Sequence, residues 1–186
     1  VRLFVAAPVG REARDVLVPA VTRHRDDDRV AWTRPAGWHV TLAFVGEVAR
    51  HGASPGLEDV VAATADGAAG AGTGPVRLAT GDLTTLAGGT ALVVGLDDDP
   101  PGAVRTLGGA VQRALLGAGV DVAERRVWPH LTLARSRRRR RVPADLVAAI
   151  SLPAVSWTVR HVEVVESVLG RGPAAYRTVA TVPVGD

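Results

Sequence analysis

The stretch Trp38-His39-Val40-Thr41-Leu42-Ala43-Phe44-Val45 opens with polar and apolar residues in alternation and reads as a β-strand. Side chains two residues apart in a strand point to the same face. His39, Thr41 and Ala43 are therefore expected on one side, with Val40, Leu42 and Phe44 on the other. The same form returns far downstream as His130-Leu131-Thr132-Leu133-Ala134, where His130, Thr132 and Ala134 oppose Leu131 and Leu133. The chain thus carries one device twice: an imidazole, a hydroxyl and a small residue aligned on a strand face.

Working outward, the flanking segments fall into a repeated order. Arg2–Val9 reads as a strand, Arg11–Arg25 as a helix, and Val30–Thr33 and Trp38–Val45 as strands around the Pro35-Ala36-Gly37 turn. Gly56–Ala71 is an alanine-rich helix with Pro55 near its start. Val76–Thr80 and Thr90–Leu96 are strands joined through Gly88-Gly89, and Asp97–Pro101 marks a loop before a helix over Val104–Leu116. The second motif lies in a strand over Val127–Leu133, followed by a short helix over Pro143–Ile150. Val159–Leu169 and Tyr176–Val184 pair across the Gly170–Pro173 turn. Strand–helix–strand–strand therefore occurs twice, with one motif at a similar place in each half. This pattern predicts an α+β fold, bilobal, in which two antiparallel-rich β-sheets face a central cleft with helices on the outside. Each half alone has a thin core, so residues 1–186 are expected to form a single bilobal domain.

Composition narrows the chemistry. Cysteine is absent, which excludes disulfides, thiolate nucleophiles and cysteine-held zinc. Neither a signal-peptide pattern nor an apolar run long enough to span a membrane is expected, and a disulfide-free protein of this kind fits the cytoplasm. All 22 basic residues are arginine, so every cationic contact is made by a planar fork suited to phosphate. The net charge is only +3; the positive charge is instead clustered, most densely in Arg137–Arg141.

Two histidines with two hydroxyl donors suit in-line displacement at a phosphodiester. One imidazole takes a proton from water while the other gives one to the departing oxygen, because an ordinary pKa of about 6.5 keeps both forms available. Thr41 and Thr132 would donate to the non-bridging oxygens, where preorganised donors favour developing negative charge. His39 and His130 would need further ligands to hold a metal. His161 is the only other strand histidine and no acidic residue has diagnostic spacing, so no metal and no cofactor is expected. His24 and His51 read as surface residues. Trp32 and Trp38, near the first motif, read as core, with base stacking as the alternative.

These residues carry a resemblance. The chain resembles the 2H phosphoesterase superfamily, and within it the RNA 2',3'-cyclic phosphodiesterases, also known as LigT-like or 2'-5' RNA ligase proteins. The likeness rests on Arg2-Leu3-Phe4-Val5-Ala6, on Trp38–Glu47, on Pro129-His130-Leu131-Thr132-Leu133-Ala134-Arg135, and on Glu166–Gly170 with Tyr176 after it. It implies a pseudo-two-fold fold with both motifs lining a groove, and hydrolysis of RNA ends bearing a 2',3'-cyclic phosphate, tRNA fragments included, to 2'-phosphomonoesters. His39 is implied as proton donor to the leaving 3' oxygen and His130 as acceptor from water, with Thr41 and Thr132 holding the phosphate. A monomer is expected.

The family pattern also has a large apolar residue five after the first histidine and an arginine five after the second, here Phe44 and Arg135. Strict alternation puts both on the face away from the histidines. Arg135 is expected to bind substrate, which requires the strand to end, twist or bulge there; Phe44 is expected to pack in the core, with a nucleobase contact as the alternative. Alternatives within the fold are 2'-5' RNA ligation and cleavage of another small cyclic nucleotide. A non-catalytic RNA-binding module using Arg137–Arg141 is the alternative outside it.

Overall fold

The computed structural model describes residues 1–137, 140–168 and 175–185. The chain runs β1 (Arg2–Pro8), α1 (Arg11–Thr22), β2 (Val30–Trp32), β3 (His39–Glu47), α2 (Leu57–Ala69), β4 (Val76–Leu86), β5 (Ala91–Asp99) and α3 (Ala103–Gly117). It continues through β6 (His130–Ser136), α4 (Ala144–Ala149), β7 (Ser156–Val159), β8 (His161–Val168) and β9 (Ala175–Pro183). Among the described residues the strands form two antiparallel sheets, one ordered β3-β1-β8-β9 and the other β2-β6-β5-β4-β7.

The α+β, two-sheet expectation holds, but the sheets are not the two halves of the sequence. β8 and β9, from the end of the chain, complete the sheet of β1 and β3, while β2 crosses into the sheet of β4–β7. The segment expected as one strand from Val159 to Leu169 is divided at Arg160, where the chain leaves one sheet for the other. Ser156 and Trp157, not expected in a strand, pair with Ala79 and Leu78. The Gly170–Pro173 turn, Leu169, and Arg138 and Arg139 of the arginine run lie outside the described residues.

Local chemistry explains the main elements. β1 is apolar throughout its interior because it sits between β3 and β8, with Leu3 to Ala7 all buried. In α3 the residues Val104, Leu107, Val111 and Leu115 fall on one stripe and are all buried. Its start is capped by Asp98, whose carboxylate accepts from the amides of Gly102 (3.0 Å) and Val104 (2.8 Å). This explains why the acidic run Asp97–Asp99, expected as loop, stays in β5: pairing with β4 continues to Asp99↔Arg77 and aims Asp98 at the helix. Among the described residues no helix is long and apolar enough to cross a membrane.

The two motif strands meet at the seam between the sheets. β3 is an edge strand, and β2 is so short that it pairs only with Ala134–Ser136 of β6. The His130–Leu133 half of β6 is unpaired with β2, and β6 contacts β3. α3 packs against β3 at the same place.

Candidate active site

Each motif strand carries a β-bulge, and at the same position. Across β1 and β3, Ala6 pairs with Thr41 and Val5 with Ala43, leaving Leu42 as the extra residue. Across β5 and β6, Val93 pairs with Thr132 and Leu92 with Ala134, leaving Leu133 extra. An extra residue reverses the parity of everything after it. Ala43 and Ala134 therefore turn into the core, 4% and 0% exposed, and do not share the histidine face as alternation implied. Phe44 and Arg135 turn out of the core instead. Phe44 pairs with Phe4, which contacts His39, so Phe44 lies on the imidazole face and is 66% exposed. It is not a core residue. Arg135 pairs with Ala91 and is exposed on the face of Thr132, as its expected role required.

The two imidazoles are held by one device. His39 Nδ1 lies 2.7 Å from the Gly37 carbonyl, and His130 Nδ1 lies 2.7 Å from the Trp128 carbonyl, each two residues upstream. A carbonyl only accepts, so in both rings Nδ1 carries the proton and Nε2 is the free nitrogen. Neutral, each ring accepts at Nε2; protonated, it donates there.

Their surroundings differ. His39 packs on Phe4 (ring centroids 4.7 Å apart, planes at 33°) and meets Tyr176 edge-on at 5.4 Å, while Phe4 and Tyr176 touch at 5.3 Å. Gly37 keeps this corner tight, since a Cβ there would fall 2.9 Å from the Tyr176 ring. Burial pushes the His39 pKa below the ordinary value. Its bond to the Gly37 carbonyl opposes this, and the nearby charges of His130 and Arg135 lower it further. β3 and β6, which carry His39 and His130, are in contact. His130 stacks on Trp128, with centroids 5.2 Å apart and planes at 20°, and the indole lies over Gly95, its strand neighbour.

His39 and Thr41 thus share one face of β3, and His130, Thr132 and Arg135 one face of β6, on strands that are in contact. Trp38 is core, as expected, at 3% exposure, and Trp32 is half-buried. The aromatic residues beside the imidazoles are instead Phe4, Tyr176 and Trp128, none of which the strand patterns single out; Phe4 and Tyr176 do lie in segments of family likeness. Arg137 donates from Nε to the Val30 carbonyl at 3.2 Å. Arg137, Arg140 and Arg141 line, with Arg29, a cavity of about 620 Å³ past the Ser136 end of β6. That is roughly 20 Å along the strand from His130, at about 3.3 Å per residue. His24 is half-buried and His51 exposed. Among the described residues no group of three or more His, Asp or Glu is placed to hold a metal ion.

A family model described as the 2'-5' RNA ligase superfamily matches residues 10–171. The chain belongs to this superfamily. The superfamily's members, the 2H phosphoesterases, include a curated relative from Geobacillus stearothermophilus named RNA 2',3'-cyclic phosphodiesterase. It is 28% identical over 191 residues, covering 97% of this chain. The chain spans 56% of that relative's length. The fold is that of E. coli LigT, whose apo crystal structure superposes with a TM-score of 0.75 at 21% identity, covering 100% of this chain and 98% of that one. LigT complexed with 3'-AMP gives the same TM-score, identity and coverage. The Thermus thermophilus protein TT0787 matches over the whole of both chains with a TM-score of 0.68 and 25% identity.

Proposed function

We propose that this 2H phosphoesterase opens 2',3'-cyclic phosphodiesters at RNA ends to 2'-phosphomonoesters by acid–base catalysis that requires no metal. The observation that carries this reading is the pair of matched imidazoles, each with Nδ1 bound to a backbone carbonyl and Nε2 free, on two strands that meet at the seam.

In the proposed step water attacks phosphorus in line with the P–O3' bond, and that bond breaks. His130 Nε2 accepts the water proton, and protonated His39 delivers one from Nε2 to the departing 3' oxygen. These labels follow the family. Burial leaves His39 neutral in the free protein near neutral pH, so it takes up its proton alongside the anionic substrate, whose charge favours the imidazolium. Thr41 and Thr132 hydroxyls donate to the non-bridging oxygens, and the Arg135 fork neutralises the charge that builds on them. Phe44, turned out beside His39, offers a face to a nucleobase.

The test is an RNA oligonucleotide ending in a 2',3'-cyclic phosphate, incubated with pure protein in excess EDTA. The expected product is the 2'-phosphomonoester, with turnover falling about 10²–10⁴-fold in His39→Ala and in His130→Ala. Absence of ring opening, or full activity in either variant, overturns the reading. Joining of the same end to a 5'-hydroxyl RNA, with no hydrolysis, would replace water by that hydroxyl and make the protein a ligase.

A further inference from the structure

We propose that Gln112 is a positioning residue that sets the spacing of the two catalytic imidazoles by tying the first motif's bulge to the approach of the second. The proposal rests on the catalytic reading above. Gln112 interrupts the apolar stripe of α3 and is 4% exposed. Its Nε2 donates to the Leu42 carbonyl at 2.7 Å and to the Arg125 carbonyl at 3.1 Å, while its Oε1 accepts from the Arg125 amide at 2.8 Å. Both amide N–H groups are used and the oxygen accepts one bond, which fixes the orientation. Turned over, the oxygen would face two carbonyl oxygens and the nitrogen would face an N–H.

Both partners sit at decisive points. Leu42 is the extra residue of the β3 bulge, on an edge strand, so its carbonyl needs a partner from outside the sheet. That bulge directly follows Thr41 and turns Phe44 to the imidazole face. Arg125 lies in the irregular segment between α3 and β6, which continues through Val127 and the Trp128 carbonyl that anchors His130 to His130 itself at the start of β6. Gly108, one helical turn before Gln112, lets the two segments close on α3. A Cβ there would fall 2.5 Å from Val127 Cγ2 and 3.6 Å from the Leu42 carbonyl. One helix face thus holds the first motif at Leu42 and the lead-in to the second at Arg125 and Val127, independent of the side chains that do the chemistry.

The experiment compares wild type with Gln112→Leu, which removes all three hydrogen bonds at similar volume, and with Gln112→Asn, which keeps an amide too short to span both backbones. Thr64→Val, which deletes a buried hydrogen bond within α2 away from both motifs, serves as the stability control. Because displacement of about 1 Å at a reacting group is worth about 10²-fold, kcat on the cyclic-phosphate RNA is expected to fall about 10–100-fold in Gln112→Leu. KM should change less than threefold. Thr64→Val should retain near wild-type kcat even where its Tm falls as far. The titration curve of His39, followed by NMR, is expected to shift in both Gln112 variants and to stay in place in Thr64→Val. If Gln112→Leu does not fold, Gln112→Asn carries the same comparison. Unchanged kcat with unchanged titrations in a folded Gln112 variant overturns the proposal, as does an equal kcat loss in Thr64→Val. Should wild type prove inactive on cyclic phosphates, the catalytic reading fails by itself, and the His39 titration still decides whether Gln112 sets the imidazole geometry.

Discussion

Replacing Phe4 with alanine separates the packing of the His39 corner from its electrostatics. Phe4 is 5% exposed and forms, with Ala6 and Val165, a small cluster apart from the main core. Its ring contacts both His39 and Tyr176. Phe→Ala in a closed core costs about 3–5 kcal/mol. This cluster borders the open site, so water can fill the space, and the loss belongs at the lower end, about 3 kcal/mol. For a chain of this length that lowers Tm by about 6–12 °C. The pH dependence then discriminates. In wild type, burial holds His39 below its ordinary value, so below about pH 6.5 the folded chain binds fewer protons than the unfolded one. Stability therefore falls on acidification from that value down to the folded pKa. Opening the Phe4 space hydrates the imidazole and moves its pKa up, so the variant loses less stability over the same window. Denaturant unfolding should show a deficit of about 3 kcal/mol at pH 7.5 that narrows at pH 5, and NMR should place the His39 titration higher than in wild type. An unmoved titration with an equal deficit at both pH values would refute desolvation by Phe4.

Arg135→Leu removes a charged donor from the site, so kcat/KM should drop about 10–100-fold. Loss of its charge should also move the His39 titration upward; a downward or absent shift would place Arg135 away from that ring. Phe44→Ala should leave stability within about 0.5 kcal/mol, since the side chain is 66% exposed. A nucleotide substrate should bind about 1–3 kcal/mol more weakly, while a base-free ribose cyclic phosphate should be unaffected; equal losses on both would remove the stacking role. Arg177 and Arg50 hold the Glu166 carboxyl below its ordinary range. Their contribution is present above about pH 4.5 and fades as pH falls through the lower folded pKa. Glu166→Gln should accordingly lower Tm at pH 7 and converge with wild type in acid, and a constant gap would show the ion pairs to be inert.

The His39–Thr41 and His130–Thr132 pairs were legible because period-two parity is a local property of a strand. The position of Phe44 was not. A bulge is a count of residues against a partner strand, and nothing in Thr41-Leu42-Ala43 announces that Val5 and Ala6 will oppose three residues. Arg135 needed the same information. The existence of most strands was likewise readable, while sheet membership was not, because the division at Arg160 depends on which distant strand, β4 or β1, presents a free edge. Gln112 is the least legible of all. In α3 it is a single polar residue within an apolar stripe, and only the two backbones it reaches give it meaning.

The pairing of β1 with β8 has a consequence for how the protein comes into being. Leu3 lies beside Glu166 and Phe4 beside Val165, so β1 waits for β8, made far later, before its sheet can close. Contacts of such span make folding slow relative to helical proteins of the same size. During synthesis the two motifs leave the ribosome well before β8 and β9, yet His39 lacks Tyr176 above it and Phe4 lacks Val165 until those strands dock. A partial nascent chain therefore carries both histidines with the His39 corner still open. Synthesis and docking of β8 and β9, rather than the appearance of the motifs, is the event that assembles that corner.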